Sequence, residues 1–275
     1  MRLVTYQSKR GPRAGLLRDE GVVDVWDGLD GEGESVRDLL AADRVPEAGE
    51  IDGEPIAGAE LLPPVPDPDK IVCIGLNYRA HAAEAGIDPP ETPTFFAKFR
   101  NALAPPGATV PLPAASRKVD FEAEIAFVVG RRAKEVSEDE AAGHVAGYML
   151  FNDLSARDLQ FATPQWIPGK VFDGSAPCGP ALVTPDEAGD AGEIEFALDL
   201  NGERMQEAST DDLIFSVPQL VVELSRLMTL EPGDVVATGT PSGVGSTRDP
   251  RVWLAPGDEI AIVSPQLGEL RTTIG

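Results

Sequence analysis

The feature that most constrains this chain is a succession of short Val- and Ile-rich runs, each stopped by Gly, Pro or Asn before it reaches helical length. KIVCIGL, KVDFEAEIAFVVG, GYMLFND, ALVT, IEFALDLNG, DVVATGT and EIAIVSPQLGELRTTI read as strands. The 28 Gly and 25 Pro in 275 residues leave little room for long helices. The expected class is therefore α+β, mostly β, with a closed or nearly closed sheet. Helical spacing predicts only Ser35–Ala42, Tyr78–Ala85, Ser137–Ala142 and Val217–Met228. Ser35 and Ser137 stand as N-caps, and Leu220, Val221, Leu224 and Leu227 form an apolar stripe on the last helix. Pro232–Asp234 and Pro256–Asp258 repeat one turn chemistry, each feeding a strand.

The Leu62–Lys70 segment, LPPVPDPDK, has four prolines and no helical or strand period, so it reads as a linker. The expected organisation is a small N-terminal α/β domain, 1–65, and a larger, strand-rich domain, 66–275. An apolar content of 42% supports folded cores. No run approaches the roughly 20 apolar residues that span a bilayer, and MRLVTYQSKRGPR lacks the apolar core of a secretory signal, so the expected location is cytoplasmic.

Cys73 and Cys178 form no CxxC pair, which argues against a disulfide scaffold or a thiolate metal site. A net charge of −23 with no offsetting stripe of Lys and Arg argues against nucleic acid. Six lysines against seventeen arginines fit a salt-adapted or GC-rich host equally well. On so acidic a protein, an anionic ligand needs local positive charge, which makes the few cations near a site informative.

In VDFEAEIAF, Asp120, Glu122 and Glu124 fall at every second position, so on a strand all three share one face. The only cation of matching parity is Lys118. Three like charges at that spacing repel, and a divalent cation would relieve them. Asp153 ends the apolar run GYMLFN, where a chain leaving a core can deliver a functional side chain or cap a helix. An all-oxygen set of this kind suits Mg²⁺ or Mn²⁺ and disfavours zinc or copper. Periodicity offers Asp120, Glu122 and Glu124 equally as members.

FEAE, FNDLSARDLQ, GKVFDGSAPCGP and ATGTPSGVG, in this order, resemble the fumarylacetoacetate hydrolase family from about Lys70 to the C-terminus. The resemblance implies metal ligands Glu122, Glu124 and Asp153, with one Mg²⁺ or Mn²⁺ per subunit and Asp120 outside the ligand set. It also implies a mixed β-sandwich roll and a homodimer.

GLNYRAHAAEAG extends the likeness to a lid carrying Asn77, Tyr78, His81 and Glu84. His81 and Glu84, three residues apart, are neighbours on a helical face, so the carboxylate can orient the imidazole. Arg157 and Gln160 follow Asp153 at +4 and +7, which on a helical turn would place all three on one face. The resemblance makes Tyr78, Arg157, Gln160 and Thr240 substrate-binding, and makes Lys170 a partner of the metal and of the substrate oxyanion. His144 lies outside every motif.

The implied reaction is divalent-metal-dependent C–C hydrolysis of a small 2-oxo acid of the acylpyruvate type, passing through an enolate. Decarboxylation of oxaloacetate, or isomerisation (tautomerisation) of it or of a hydroxymuconate-type diacid, is the alternative. An inactive metal-binding scaffold and a purely structural acidic protein are readings from other classes.

Overall fold

The structure is a computed structural model that describes residues 1–30 and 33–275. Its frame is an 11-stranded sheet whose main path runs Gly21–Asp24, Gly11–Arg18, Arg2–Ser8, Ala176–Val183, Val145–Asn152, Ala123–Val129, Val235–Ala237, Ile71–Gly75 and Thr94–Lys98. A five-stranded sheet orders Glu203–Ser209, Glu195–Leu200, Glu259–Ser264, Gly268–Ile274 and Thr109–Val110. Ser155–Ala156 pairs with Val119–Asp120 as a separate two-stranded ribbon.

The Ala123–Val129 strand lies at the centre of the large sheet and is buried on both faces. Ala123, Ile125, Phe127 and Val129 enter one apolar core, while Ala126 and Val128 enter the other. A strand covered on both sides needs a near-continuous apolar run, and AEIAFVV supplies one apart from Glu124. The first N-terminal strand joins this same sheet, with Leu3 opposite Leu182, and the proline segment leads into Ile71–Gly75.

Three of the predicted helices sit within a residue of expectation at each end: Val36–Ala41, Arg79–Ala85 and Val217–Leu227. The fourth is the single turn Glu138–Ala141. Ser35 with Asp38 and Ser137 with Glu140 form capping boxes, which satisfy the exposed amide groups of the first turn. The Val217–Leu227 helix buries Leu220, Val221 and Leu224, but Leu227 is 66% exposed because the helix runs off the core at its last turn. No helix among the described residues is long and apolar enough to cross a membrane.

The expected single strand through the acids is interrupted. Val119–Asp120 pairs with Ser155–Ala156, whereas Ala123–Val129 pairs with Val145–Asn152; Phe121 and Glu122 belong to neither ladder. That break rotates Asp120 away from the other two acids.

Candidate active site

Glu122 and Glu124 flank the start of the central strand, and Asp153 follows the last residue of its neighbour. The two ends are clamped together: Glu122 N–H donates to Asn152 Oδ1 at 3.1 Å, and Asp153 N–H donates to Glu122 O at 2.9 Å. A carboxylate oxygen from each of Glu122, Glu124 and Asp153 lies within 4.8 Å of the other two, and all three residues are buried.

Three cations surround the acids. Lys170 Nζ is 2.7 Å from both Glu122 Oε2 and Asp153 Oδ2. Arg157 Nη2 is 2.7 Å from Glu122 Oε1 and 2.8 Å from Asp120 Oδ2. Lys98 Nζ is 2.8 Å from Asp153 Oδ1, but the carbonyls of Lys170, Ser175 and Leu154 and Ser175 Oγ all compete for its three protons. Asp153 Oδ1 is consequently buried with no hydrogen-bond partner. With Asp120, four buried carboxylates face three buried cations.

The acids divide by environment. Burial opposes ionisation of Glu122, yet the charges of Arg157 and Lys170 outweigh it and hold this carboxyl well below its usual range. Burial and the negative charges of Asp153 and Glu122 push Glu124 well above it. Burial works against the Lys170 ammonium, but Asp153 and Glu122 more than compensate and raise its pKa. An orphaned carboxylate oxygen, a like-charged pair and an excess of one negative charge fit a hard divalent cation with oxygen ligands.

These groups open into a cavity of about 260 Å³, lined also by His81, Gln160, Thr240, Phe96 and Trp166. His81 Nδ1 lies 3.1 Å from Glu84 Oε2, and Glu84 Oε1 accepts from Gly243 N–H at 3.0 Å, so one carboxylate ties the Arg79–Ala85 helix to the loop opposite. Trp166 packs against Gly75, where a Cβ would overlap its ring, and meets Phe96 edge-on at 5.7 Å. A larger groove of about 550 Å³ along Thr94–Lys98 contains none of the three convergent acids.

Arg157 and Gln160 reach the cavity from the helical turn Arg157–Gln160, after Asp153 has already left its strand and Ser155–Ala156 has formed a ribbon. The continuous helical face expected from Asp153 to Gln160 is absent, and a strand segment does the positioning. Asp120 takes no place beside Glu122 and Glu124: it accepts from Arg157 Nε at 2.9 Å and from the N–H groups of Gly245 and Ser246 at 2.7 and 3.1 Å. Gly245 is required there, since a Cβ would lie 2.7 Å from Asp120 Oδ1.

Tyr78, expected against substrate, is fully buried, packs edge-on to Phe196 and does not line the cavity. Asn77 is also buried; it ties Phe215 and Thr238 together through its amide. His144 faces Arg131 O, outside the cavity. Lys98, Phe96, Trp166 and Gln206 belong to the site or support it, and no sequence motif marks them; only the alternation of TFFAK hints that Lys98 and Phe96 share one face of a strand.

The fumarylacetoacetate (FAA) hydrolase C-terminal family matches residues 70–275. Over 216 residues the chain is 41% identical to oxaloacetate tautomerase FAHD2B, mitochondrial, of Bos taurus, covering 78% of this chain and 69% of that protein. Fumarylacetoacetate hydrolase from Exiguobacterium antarcticum superposes with a TM-score of 0.87 at 30% identity, covering 100% of this chain and 99% of the other. The 5-carboxymethyl-2-hydroxymuconate delta-isomerase of Mycobacterium smegmatis does so at 0.80 and 32%, covering 100% and 98%.

Fold and site together define a mostly-β enzyme of α+β class whose sheets converge on a buried acidic centre. The chain belongs to the fumarylacetoacetate hydrolase family, and its activity is of the isomerase or hydrolase type.

Proposed function

We propose that this enzyme is a divalent-metal-dependent tautomerase of a small 2-oxo acid. The observation that carries the reading is one cavity shared by the Glu122–Glu124–Asp153 cluster, the bridging Lys170 and His81, whose imidazole Glu84 holds from behind. Similarity to an oxaloacetate tautomerase supports proton transfer over bond cleavage as the main reaction.

Glu122, Glu124 and Asp153 would hold Mg²⁺ or Mn²⁺, which supplies Lewis-acid polarisation of a 2-oxo carboxylate. The remaining work falls to the chain's own groups. Gln160 Oε1 accepts from Arg157 Nη1 at 3.0 Å, so the amide Nε2 is left to donate to a substrate carboxylate. Thr240, on the same wall, offers a hydroxyl, and Arg157 fixes Glu122 through the short contact between them. Donation of Nδ1–H to Glu84 leaves His81 Nε2 as the proton acceptor. His81 takes the proton from the carbon beside the 2-oxo group. The electron pair moves onto the 2-oxo oxygen near Lys170, and that oxygen receives the proton to give the enol.

The same dyad could instead activate water against a distal carbonyl, the hydrolytic reading that similarity to a fumarylacetoacetate hydrolase keeps in view. Spectroscopic oxaloacetate keto–enol exchange and acid release from an acylpyruvate separate the two. The expected result is Mg²⁺-dependent exchange that is lost in His81→Ala and Glu122→Ala, with no acid release. Full activity in Glu122→Ala would exclude the metal centre.

A further inference from the structure

We propose that Gln206 is a positioning residue that fixes the direction in which Thr240 donates its hydroxyl proton. Gln206 is 2% exposed and comes from the five-stranded sheet, yet its amide sits between two elements of the site. Its Oε1 accepts from Ala123 N–H at 2.9 Å; Ala123 is the residue between Glu122 and Glu124. Its Nε2 donates to Pro241 O at 3.0 Å and to Thr240 Oγ1 at 2.9 Å.

These partners determine which way the amide is turned. Ala123 N–H can only donate and Pro241 O can only accept, so the oxygen must face the former and the nitrogen the latter. Thr240 Oγ1 is therefore an acceptor toward Gln206. Its own single proton must point elsewhere, and Thr240 lines the catalytic cavity. The hydroxyl becomes a donor aimed at an anionic ligand, which an unconstrained rotor would be only part of the time.

Gln206 also fills a gap in the sheet. Ladder pairing of the central strand with Val235–Ala237 begins at Ala126, and Thr238 N–H continues it to Ile125 O at 2.9 Å. Gly239 N–H then turns to Glu124 Oε2 at 2.9 Å. Beyond that point the Gln206 amide replaces the missing backbone contact, so the acid-bearing strand and the loop of Thr240 are held in one register.

This inference rests on reading the site as a 2-oxo acid centre. Its test is calorimetric oxalate affinity of the Mg²⁺-loaded protein in a double-mutant cycle of Gln206→Ala and Thr240→Val, with melting temperatures recorded alongside. The expected result is a five- to tenfold loss for either single variant, about the worth of one directed hydrogen bond, and little further loss in the pair. Gln206→Glu, whose carboxylate would draw the Thr240 proton to itself, should weaken oxalate at least as much as Gln206→Ala.

Additive losses, or unchanged affinity in Gln206→Ala, would overturn the proposal while leaving the functional reading in place. Wild-type protein that binds Mg²⁺ but not oxalate would overturn the functional reading itself and the proposal with it.

Discussion

Asp120 Oδ2 and Arg157 Nη2 form a buried ion pair at 2.8 Å, and through it Arg157 holds Glu122 in place. Asp120 therefore stabilises the site from outside the Glu122–Glu124–Asp153 cluster. Removing one partner of a buried pair leaves the other charge uncompensated, so Asp120→Ala should lower unfolding free energy by about 3–5 kcal/mol. Chemical denaturation measures this, and a loss under about 1 kcal/mol would show the pair to be solvated in solution.

Metal binding should be visible without turnover. At about one hundred times its dissociation constant, Mg²⁺ adds roughly 2.7 kcal/mol to the folded state. Wild-type protein should melt higher with Mg²⁺, and Glu124→Gln and Asp153→Asn should lose most of that shift. Equal shifts in all three proteins would place the ion elsewhere.

Lys170 lies between two carboxylates that would otherwise repel one another. Lys170→Met should lower the melting temperature of the metal-free protein and enlarge the rise produced by Mg²⁺, because more negative charge awaits the ion. Turnover should fall about a hundredfold or more, as expected when a charge-stabilising group is removed. A smaller Mg²⁺ response would contradict this account.

The His81–Glu84 dyad predicts graded losses in kcat. His81→Ala should cost about 10²- to 10⁴-fold, the usual contribution of a general base, and Glu84→Gln less, since the imidazole remains. Glu84→Gln should also loosen the lid, because Glu84 accepts from Gly243 N–H; increased proteolysis within residues 79–90 would report it.

A pH effect on stability should arise far from the cavity. Burial raises the pKa of Asp24, but hydrogen bonds from Arg13 and Tyr6 outweigh it and leave the carboxyl lower than usual. A depressed folded pKa means that this stabilisation is fully present above the unfolded value of about 3.9 and disappears as pH falls through the lower folded one. Asp24→Asn should therefore melt below wild type at neutral pH, and the gap should narrow as pH drops below about 4. A gap independent of pH would refute the assignment.

Much of the frame was legible locally. Val- and Ile-rich runs became strands, Ser35 and Ser137 became capping-box residues, and Gly233 and Gly257 adopted the positive φ their Pro-Gly-Asp turns require. Turn and cap chemistry acts between residues a few positions apart, so it is written in short stretches of chain. Leu227 escaped this logic because helical spacing says which face is apolar and nothing about where the core ends.

The site was legible in its members more than in its arrangement. Motif resemblance selected Glu122, Glu124 and Asp153, and these three converge. Periodicity treated Asp120 as their equal, and it is not, because the ladder changes partner between Asp120 and Ala123. Tyr78 belonged to the same motif as His81, yet its ring went to the core against Phe196.

The sequence by itself determined the strand-and-turn character of the chain, the short helix with its histidine and carboxylate, and a set of acids marked out by motif resemblance. Only the tertiary structure decided which acids meet, that Lys98 and Gln206 support them, and that Asp120 pairs with Arg157. Lys98 meets Asp153 across 55 residues and Gln206 meets Ala123 across 83. The first depends on the strand order of the large sheet and the second on how the two sheets pack, and local propensity carries no information about either.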